Sequence, residues 1–253
     1  MKNSVIKPIR IIFPIVFFLL FPCACTQEKQ SKPEHAESYS SQGNAYSQKG
    51  QYDQAIADYN KALAINPRYA AVYLTRGVAY GKKGQYDKAI ADFNKAVEID
   101  PKNAGAYYNR GVVYEVNHRY DQAIADYTKA LEINPRYAGG YHNRGVAYGR
   151  IGQLDKALAD FTKSIEINPR YDGSYYSRGN VYGKRGEYDQ AIADYTKALE
   201  LNPSYAVAYY SRGRAYYLGK EYGKSMEDVN KAQALGYKIP AEFLDDLHKA
   251  SGK

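Results

Sequence analysis

Few residues of this sequence have types and spacing that could carry chemistry. The four histidines, His35, His118, His142 and His248, are scattered, and none stands at metal-ligand spacing from a second histidine or a cysteine. The two cysteines, Cys23 and Cys25, lie near the N-terminus, so the chain beyond them has no disulfide, free thiol or thiolate metal site. There is no glycine-rich phosphate loop, nucleophile elbow or isolated pair of carboxylates. What does recur is a charge pair. Arginine returns as Arg76, Arg110, Arg144, Arg178 and Arg212, and aspartate as Asp58, Asp92, Asp126, Asp160, Asp194 and Asp228, each series at intervals of 34 residues. Charges repeated this evenly read as scaffold, and the sequence predicts no enzyme, no metal and no cofactor.

The elements that place these charges follow from the same period. Asn66-Pro67, Asp100-Pro101, Asn134-Pro135, Asn168-Pro169 and Asn202-Pro203 recur every 34 residues. Each is preceded by a version of "YDQAIADYTKALEI" and followed by an aromatic-rich stretch containing "RGxxY" or "RGNVY"-like variants. In "YYNRGVVY", Tyr107, Arg110, Gly111 and Tyr114 fall at i, i+3, i+4 and i+7, one face of a helix. With proline as position 32, units begin at Ala36, Ala70, Ala104, Ala138, Asp172 and Ala206. Position 8 is then always glycine, from Gly43 to Gly213, and position 11 always tyrosine, from Tyr46 to Tyr216. Position 20 is alanine except at Ser225, and position 24 is aromatic except at Val229. Each unit carries two apolar stripes joined by a turn such as "GKKGQYD", where Gly84 suits an unusual backbone angle and Asp87 could cap the second helix. The residue before each proline avoids helical angles and ends that helix.

This pattern resembles the tetratricopeptide repeat, a helical hairpin with this period and these small and aromatic positions. The resemblance covers Ala36 to about Ile239 and implies an all-α, right-handed solenoid of six units, 36–69, 70–103, 104–137, 138–171, 172–205 and 206–239. Two positions depart from the family: tyrosine stands at position 4, where tryptophan is usual, and arginine at position 7, where leucine is common. "PAEFLDDLHKA", Pro240 to Ala250, places Phe243, Leu244 and Leu247 on one face and reads as a capping helix within a terminal segment, 240–253.

The arginine at position 7 could meet the aspartate at position 23 of its own unit or of the preceding one. Only the first unit, with nothing before it, has Gln42 in place of arginine. That exception favours pairing onward, Asp58 with Arg76, Asp92 with Arg110, Asp126 with Arg144, Asp160 with Arg178 and Asp194 with Arg212. Arginine suits such a pair because its planar fork grips a carboxylate twice.

Residues 1–25 differ from the rest. Lys2, Lys7 and Arg10 precede the apolar run Ile11 to Phe21, followed by "PCACT". A basic start, a short apolar core and small residues describe an export signal. A cysteine in that place resembles a bacterial lipoprotein signal, which implies lipidation at Cys25 and an envelope-membrane location; Pro22 departs from the leucine the family prefers. A cleaved soluble signal, giving a periplasmic or secreted protein, and an uncleaved anchor are the other readings. Thr26 to His35, polar with one proline, suits a flexible tether over 26–35.

In the family that the repeats resemble, positions 2, 5, 9, 12 and 13 face a concave groove. Carried over, this gives partner-binding candidates Leu74, Tyr108, His142, Tyr176 and Tyr210 at position 5 and Asn180 and Arg214 at position 9, with Asn109 and Asn143 at position 6. The implied ligand is an extended peptide or helix of a partner protein. A clamp for a C-terminal carboxylate, which some members build with lysine at position 5, is not supported here. The expected role is therefore a non-enzymatic interaction scaffold of the bacterial envelope. A peptide-holding chaperone or a spacer is the alternative. An RNA-binding solenoid ranks behind both: the pI near 9.1 invites it, but the positions considered do not gather cations, and the leader exports the chain. No nucleic acid and no small-molecule substrate is expected.

Overall fold

The computed structural model describes residues 24–252, with side chains from residue 34 onward. The export-signal segment 1–23 and the side chain of Cys25 lie outside that range. Among the described residues there are thirteen helices and no strand. They form six hairpins: α1 (Ala24–Gln48) with α2 (Tyr52–Ile65), α3 (Ala70–Lys82) with α4 (Tyr86–Ile99), and α5 (Ala104–Val116) with α6 (Tyr120–Ile133). The next three are α7 (Ala138–Arg150) with α8 (Leu154–Ile167), α9 (Asp172–Lys184) with α10 (Tyr188–Leu201), and α11 (Ala206–Leu218) with α12 (Tyr222–Ala234). The last helix, α13 (Ala241–Ser251), packs on α12. Each second helix packs on the first helix of the next hairpin, so the units stack as a solenoid.

The backbone of residues 26–35 belongs to α1 rather than to the tether that its composition suggested. A polar composition argues against packing into a core, but a helix already nucleated downstream can extend without one. The turns behave as their residues dictate. Gly50, Gly84, Gly152 and Gly186 hold φ of +72° to +78°, a region that other residues enter at a cost, and His118 and Lys220 enter it at the equivalent places. Asp87 is not a cap: Gln85 holds the N-cap position without a side-chain bond, and Asp87 sits in the first turn, where its charge faces the helix dipole.

Within each hairpin the two helices touch where position 8 meets position 24. A Cβ on Gly111 would lie 2.8 Å from the ring of Tyr127, and one on Gly77 2.7 Å from that of Phe93. Only glycine leaves room for the ring, and the rings of Tyr59, Phe93, Tyr127 and Phe161 are almost fully buried as a result.

The charge pairs lie beside this contact, and they do not run onward. Each arginine grips the aspartate of its own hairpin. Arg110 donates from Nε to Asp126 Oδ2 and from Nη2 to Oδ1, both at 2.7 Å. Arg76 holds Asp92 in the same way, Arg144 Asp160, Arg178 Asp194 and Arg212 Asp228. The expected register is corrected for a geometric reason: positions 7 and 23 sit next to the glycine-to-ring contact at 8 and 24, where the two helices of one hairpin come closest. Asp58, whose hairpin has Gln42 instead of arginine, takes Lys61 at 2.7 Å. The exception in the first hairpin still has a cause. Each arginine directs its remaining Nη1 to position 25 of the preceding hairpin, Asn60, Asn94, Thr128, Thr162 or Thr196. The first hairpin has no predecessor to receive that bond.

Tyrosines explain the two departures at positions 4 and 7 together. The guanidinium of Arg144 lies 5.5 Å from the ring centroid of Tyr141 and 5.9 Å from that of Tyr148. Arg76 and Arg212 are flanked likewise by positions 4 and 11. A ring face attracts a cation, and the aliphatic stem covers apolar surface. Arg110 keeps 16% and Asp126 9% of their side-chain exposure.

Two outcomes follow. A double-mutant cycle read by chemical denaturation will couple Arg110 with Asp126, and will find no coupling between Arg110 and Asp92. Either single truncation will cost about 3–5 kcal/mol, because it strands a buried charge. Ser225 Oγ is buried without a partner among the described residues, where the five other hairpins have a fully buried alanine, Ala55, Ala89, Ala123, Ala157 and Ala191. Ser225→Ala will raise stability by about 1 kcal/mol in the same assay, since it removes an unsatisfied hydroxyl.

Candidate functional site

The first helices, α3, α5, α7, α9 and α11, carry the residues singled out for partner binding. The structure does not leave them equally free. Leu74 packs against the cluster of Ala89, Phe93 and Val113. Asn109 donates from Nδ2 to Gly105 O, 2.7 Å away on its own helix. Both are spent on the scaffold.

The rings at position 5 are half-buried in aromatic stacks. Tyr108 lies 4.7 Å from Tyr137 and 5.7 Å from Tyr127, centroid to centroid, and its hydroxyl accepts from Asn143 Nδ2 at 2.9 Å. His142 lies 4.8 Å from Tyr171 and 5.6 Å from Phe161. Tyr176 lies 4.9 Å from Tyr205 and 5.8 Å from Tyr195, and Tyr210 packs on Tyr237 and Phe243. For Tyr108, His142 and Tyr176 the partner ring is at position 34, the last residue before the next first helix. That position was missed in the sequence, although Tyr69, Tyr137, Tyr171 and Tyr205 recur there two residues after each Asn-Pro, with Asn103 in that place after Asp100-Pro101. Glycine at position 2 makes the space: a Cβ on Gly139 would come within 3.3 Å of the Tyr137 ring, and one on Gly173 within 3.1 Å of that of Tyr171.

Three candidates meet in one place. Tyr176, Asn180 and Arg214 line a hollow of about 610 Å³ on the first helices of the fourth to sixth hairpins. Its floor includes Val146, Val181 and Ala215, with Gly149 and Gly183 at position 12. A Cβ on Gly149 would meet only Ala157, at 4.0 Å, so the missing side chains themselves give the hollow its depth. Asn180 Oδ1 accepts from Tyr195 at 2.8 Å. Arg150 and Lys184, at position 13, line the hollow with Arg214. The expectation that cations do not gather on this face rested on positions 5, 9 and 12, and position 13 corrects it for these hairpins.

One hairpin earlier, position 12 is Glu115, whose carboxylate accepts from Tyr127 Oη at 2.7 Å. Burial pushes its pKa up, against the pull of that hydrogen bond and of Arg150. Glu115, Val116, His118, Tyr120 and Arg150 form a smaller depression of about 210 Å³. No group of three or more histidine, cysteine, aspartate or glutamate side chains gathers at metal-binding distance among the described residues, and no described helix is long and apolar enough to cross a membrane.

Such an array, six hairpins of one period with a groove on their first helices, is a helical repeat solenoid. Models of the TPR repeat match residues 43–84 and 82–117, and of the tetratricopeptide repeat residues 104–137, 138–171 and 174–205. The chain belongs to the tetratricopeptide-repeat family, whose members are in general non-enzymatic modules for protein–protein interaction. No functionally curated protein matches it. Among solved structures it is similar to MamA, at 32% identity and a TM-score of 0.60 over 64% of this chain and 94% of that one. It is similar to YrrB, described as a TPR protein with an unusual peptide-binding site, at 25% identity and a TM-score of 0.63 over 77% and 98%. PilF of Pseudomonas aeruginosa shares the fold, with a TM-score of 0.75 and 20% identity over 87% and 99%.

His142 supplies a pH test of the aromatic stack. Burial pushes its pKa down to about 4, against a smaller upward pull from Asp172, and its Nδ1 lies 3.1 Å from Ser174 Oγ. In the unfolded chain a histidine titrates near about 6.5. The unfolded state therefore binds the proton first, and the stability held above that pH is lost as pH falls towards 4. Melting temperatures of the wild type will fall across this window more steeply than those of His142→Tyr, the residue found at this position in three other hairpins.

Proposed function

We propose that this chain is a non-enzymatic scaffold of a bacterial cell envelope that takes an extended segment or a helix of a partner protein into its concave groove. The observation that carries this is the hollow between α7, α9 and α11. It is large enough for a ligand, within the usual range of roughly 300–1,000 Å³, and it combines an apolar floor with polar groups at its edge. Tyrosine supplies broad contact with a hydrogen-bonding tip at little entropic cost. The likeness to YrrB, described as having a peptide-binding site, supports the same use of the face. The repeats hold the groove in place: the cross-hairpin arginine bonds set each first helix against the second helix of the preceding hairpin.

The leader supports attachment to an envelope membrane through lipid on Cys25. Each lipid chain contributes about 0.8 kcal/mol per buried CH₂, so two or more chains would hold the protein stably.

Crosslinking pulldown from native membranes tests the groove. Ser177 lines the hollow, and Ser177→Trp will fill it. The variant will lose the partner of the wild type while keeping its melting curve; retention of every partner would defeat the groove reading. Metabolic labelling with an alkyne fatty acid will tag the wild type and not Cys25→Ala. Labelling of both would remove the lipid anchor from that residue.

A further inference from the structure

We infer that the partner segment is acidic: an internal stretch whose aspartate or glutamate side chains flank an apolar one. This rests on the groove reading above and adds the chemistry of the occupant.

Three observations carry it. Arg150, Lys184 and Arg214 line one hollow, and no carboxylate lines it with them. None of the three is within ion-pair distance of an acid among the described residues, although Arg150 also shares the smaller depression with Glu115, whereas all five arginines at position 7 are gripped by aspartate. Arg150 and Lys184 close the last turns of α7 and α9, where a helix dipole favours a cation. Arg214 lies in the middle of α11 and has no such reason to be there. Three like charges around one concavity repel each other, and the arrangement gains when an anion enters.

Val146 and Val181 line the same hollow, beside the space that Gly149 and Gly183 leave open. That space takes an apolar side chain, and the cations take the carboxylates on either side of it. The basic stretch is short. Position 13 is Val116 in the third hairpin and Leu218 in the sixth, both exposed, and Glu115 adds an acid beside Val116. A nucleic-acid backbone needs a continuous basic track. A short acidic peptide matches the three charges present.

The test is selection of a random twelve-residue display library on the full-length chain in detergent. Enriched peptides are then synthesised with a free or an amidated C-terminus, and binding is read by fluorescence anisotropy at two salt concentrations. The expected result is enrichment of sequences with spaced aspartate or glutamate around an apolar residue. Binding will weaken with salt, be indifferent to amidation, and fall about tenfold or more in Arg150→Glu/Lys184→Glu. Both substituted side chains are exposed, and an unchanged melting curve confirms that the variant folds. Enrichment of neutral or basic peptides, no enrichment, or unchanged affinity in the charge-reversal variant overturns the inference. So does tight binding of the free-acid form alone, which assigns the anion to a chain end, or salt-sensitive binding of single-stranded RNA that displaces the peptides. The two readings fail separately. If peptides bind and Ser177→Trp blocks them while charge reversal does not, the groove stands and the acidic partner falls. If Ser177→Trp leaves binding intact, the groove itself falls.

Discussion

The structure depends on one close approach, repeated in every hairpin. Glycine at position 8 gives up its side chain so that the residue at position 24, a ring in five hairpins and Val229 in the sixth, can lie against its backbone. Everything nearby adapts to that distance. The arginine one residue before the glycine reaches the aspartate one residue before the ring, and tyrosines at positions 4 and 11 close over the guanidinium. The third arm of the arginine crosses to the previous hairpin. One side chain thus fixes the two helices of its own unit and sets the spacing to the one before it. A buried ion pair adds little net stability over apolar packing, but it is costly to break and specific in geometry. Specific geometry matters in an array, because an angular error between units would accumulate along the stack.

A fixed spacing turns the first helices into a surface whose shape is set residue by residue. Position 12 shows this most plainly. Glutamate fills it in the third hairpin and tyrosine in the sixth, while Gly149 and Gly183 leave it empty between them. The hollow is therefore written by two absent side chains on a uniform frame. The position-5 rings, which looked like the binding residues, are partly consumed by stacking on position 34. Among them Tyr176 lines the hollow, whose depth comes from position 12 and whose charge comes from positions 9 and 13.

The period, the hairpins and the capping helix were legible because they rest on local rules: spacing of apolar residues, proline after the second helix, glycine in the turn. Leu247, expected on the apolar face of the cap, is fully buried. The partner of the arginine was not legible from spacing alone. Gln42 in the first hairpin pointed to an interaction with the preceding unit, and one exists, but it ends on an asparagine or threonine. A sequence exception identifies that a neighbour is needed; it does not say which atom of the neighbour is used. The tyrosine at position 34 escaped notice because it falls between helices, outside either apolar stripe. Arg150 and Lys184 escaped because the ends of helices commonly carry cations, and only the fold shows them meeting Arg214.

The central claim is that this uniform scaffold binds on one face, at the hollow between α7, α9 and α11. The most direct measurement is photo-crosslinking in native cells with a reactive residue placed at Ser177 in the hollow or at Lys197 on α10, where Lys197 is exposed and pairs with Glu200. The account predicts a discrete crosslinked partner from position 177 and none from position 197. Adducts from position 197 with none from position 177 would contradict it.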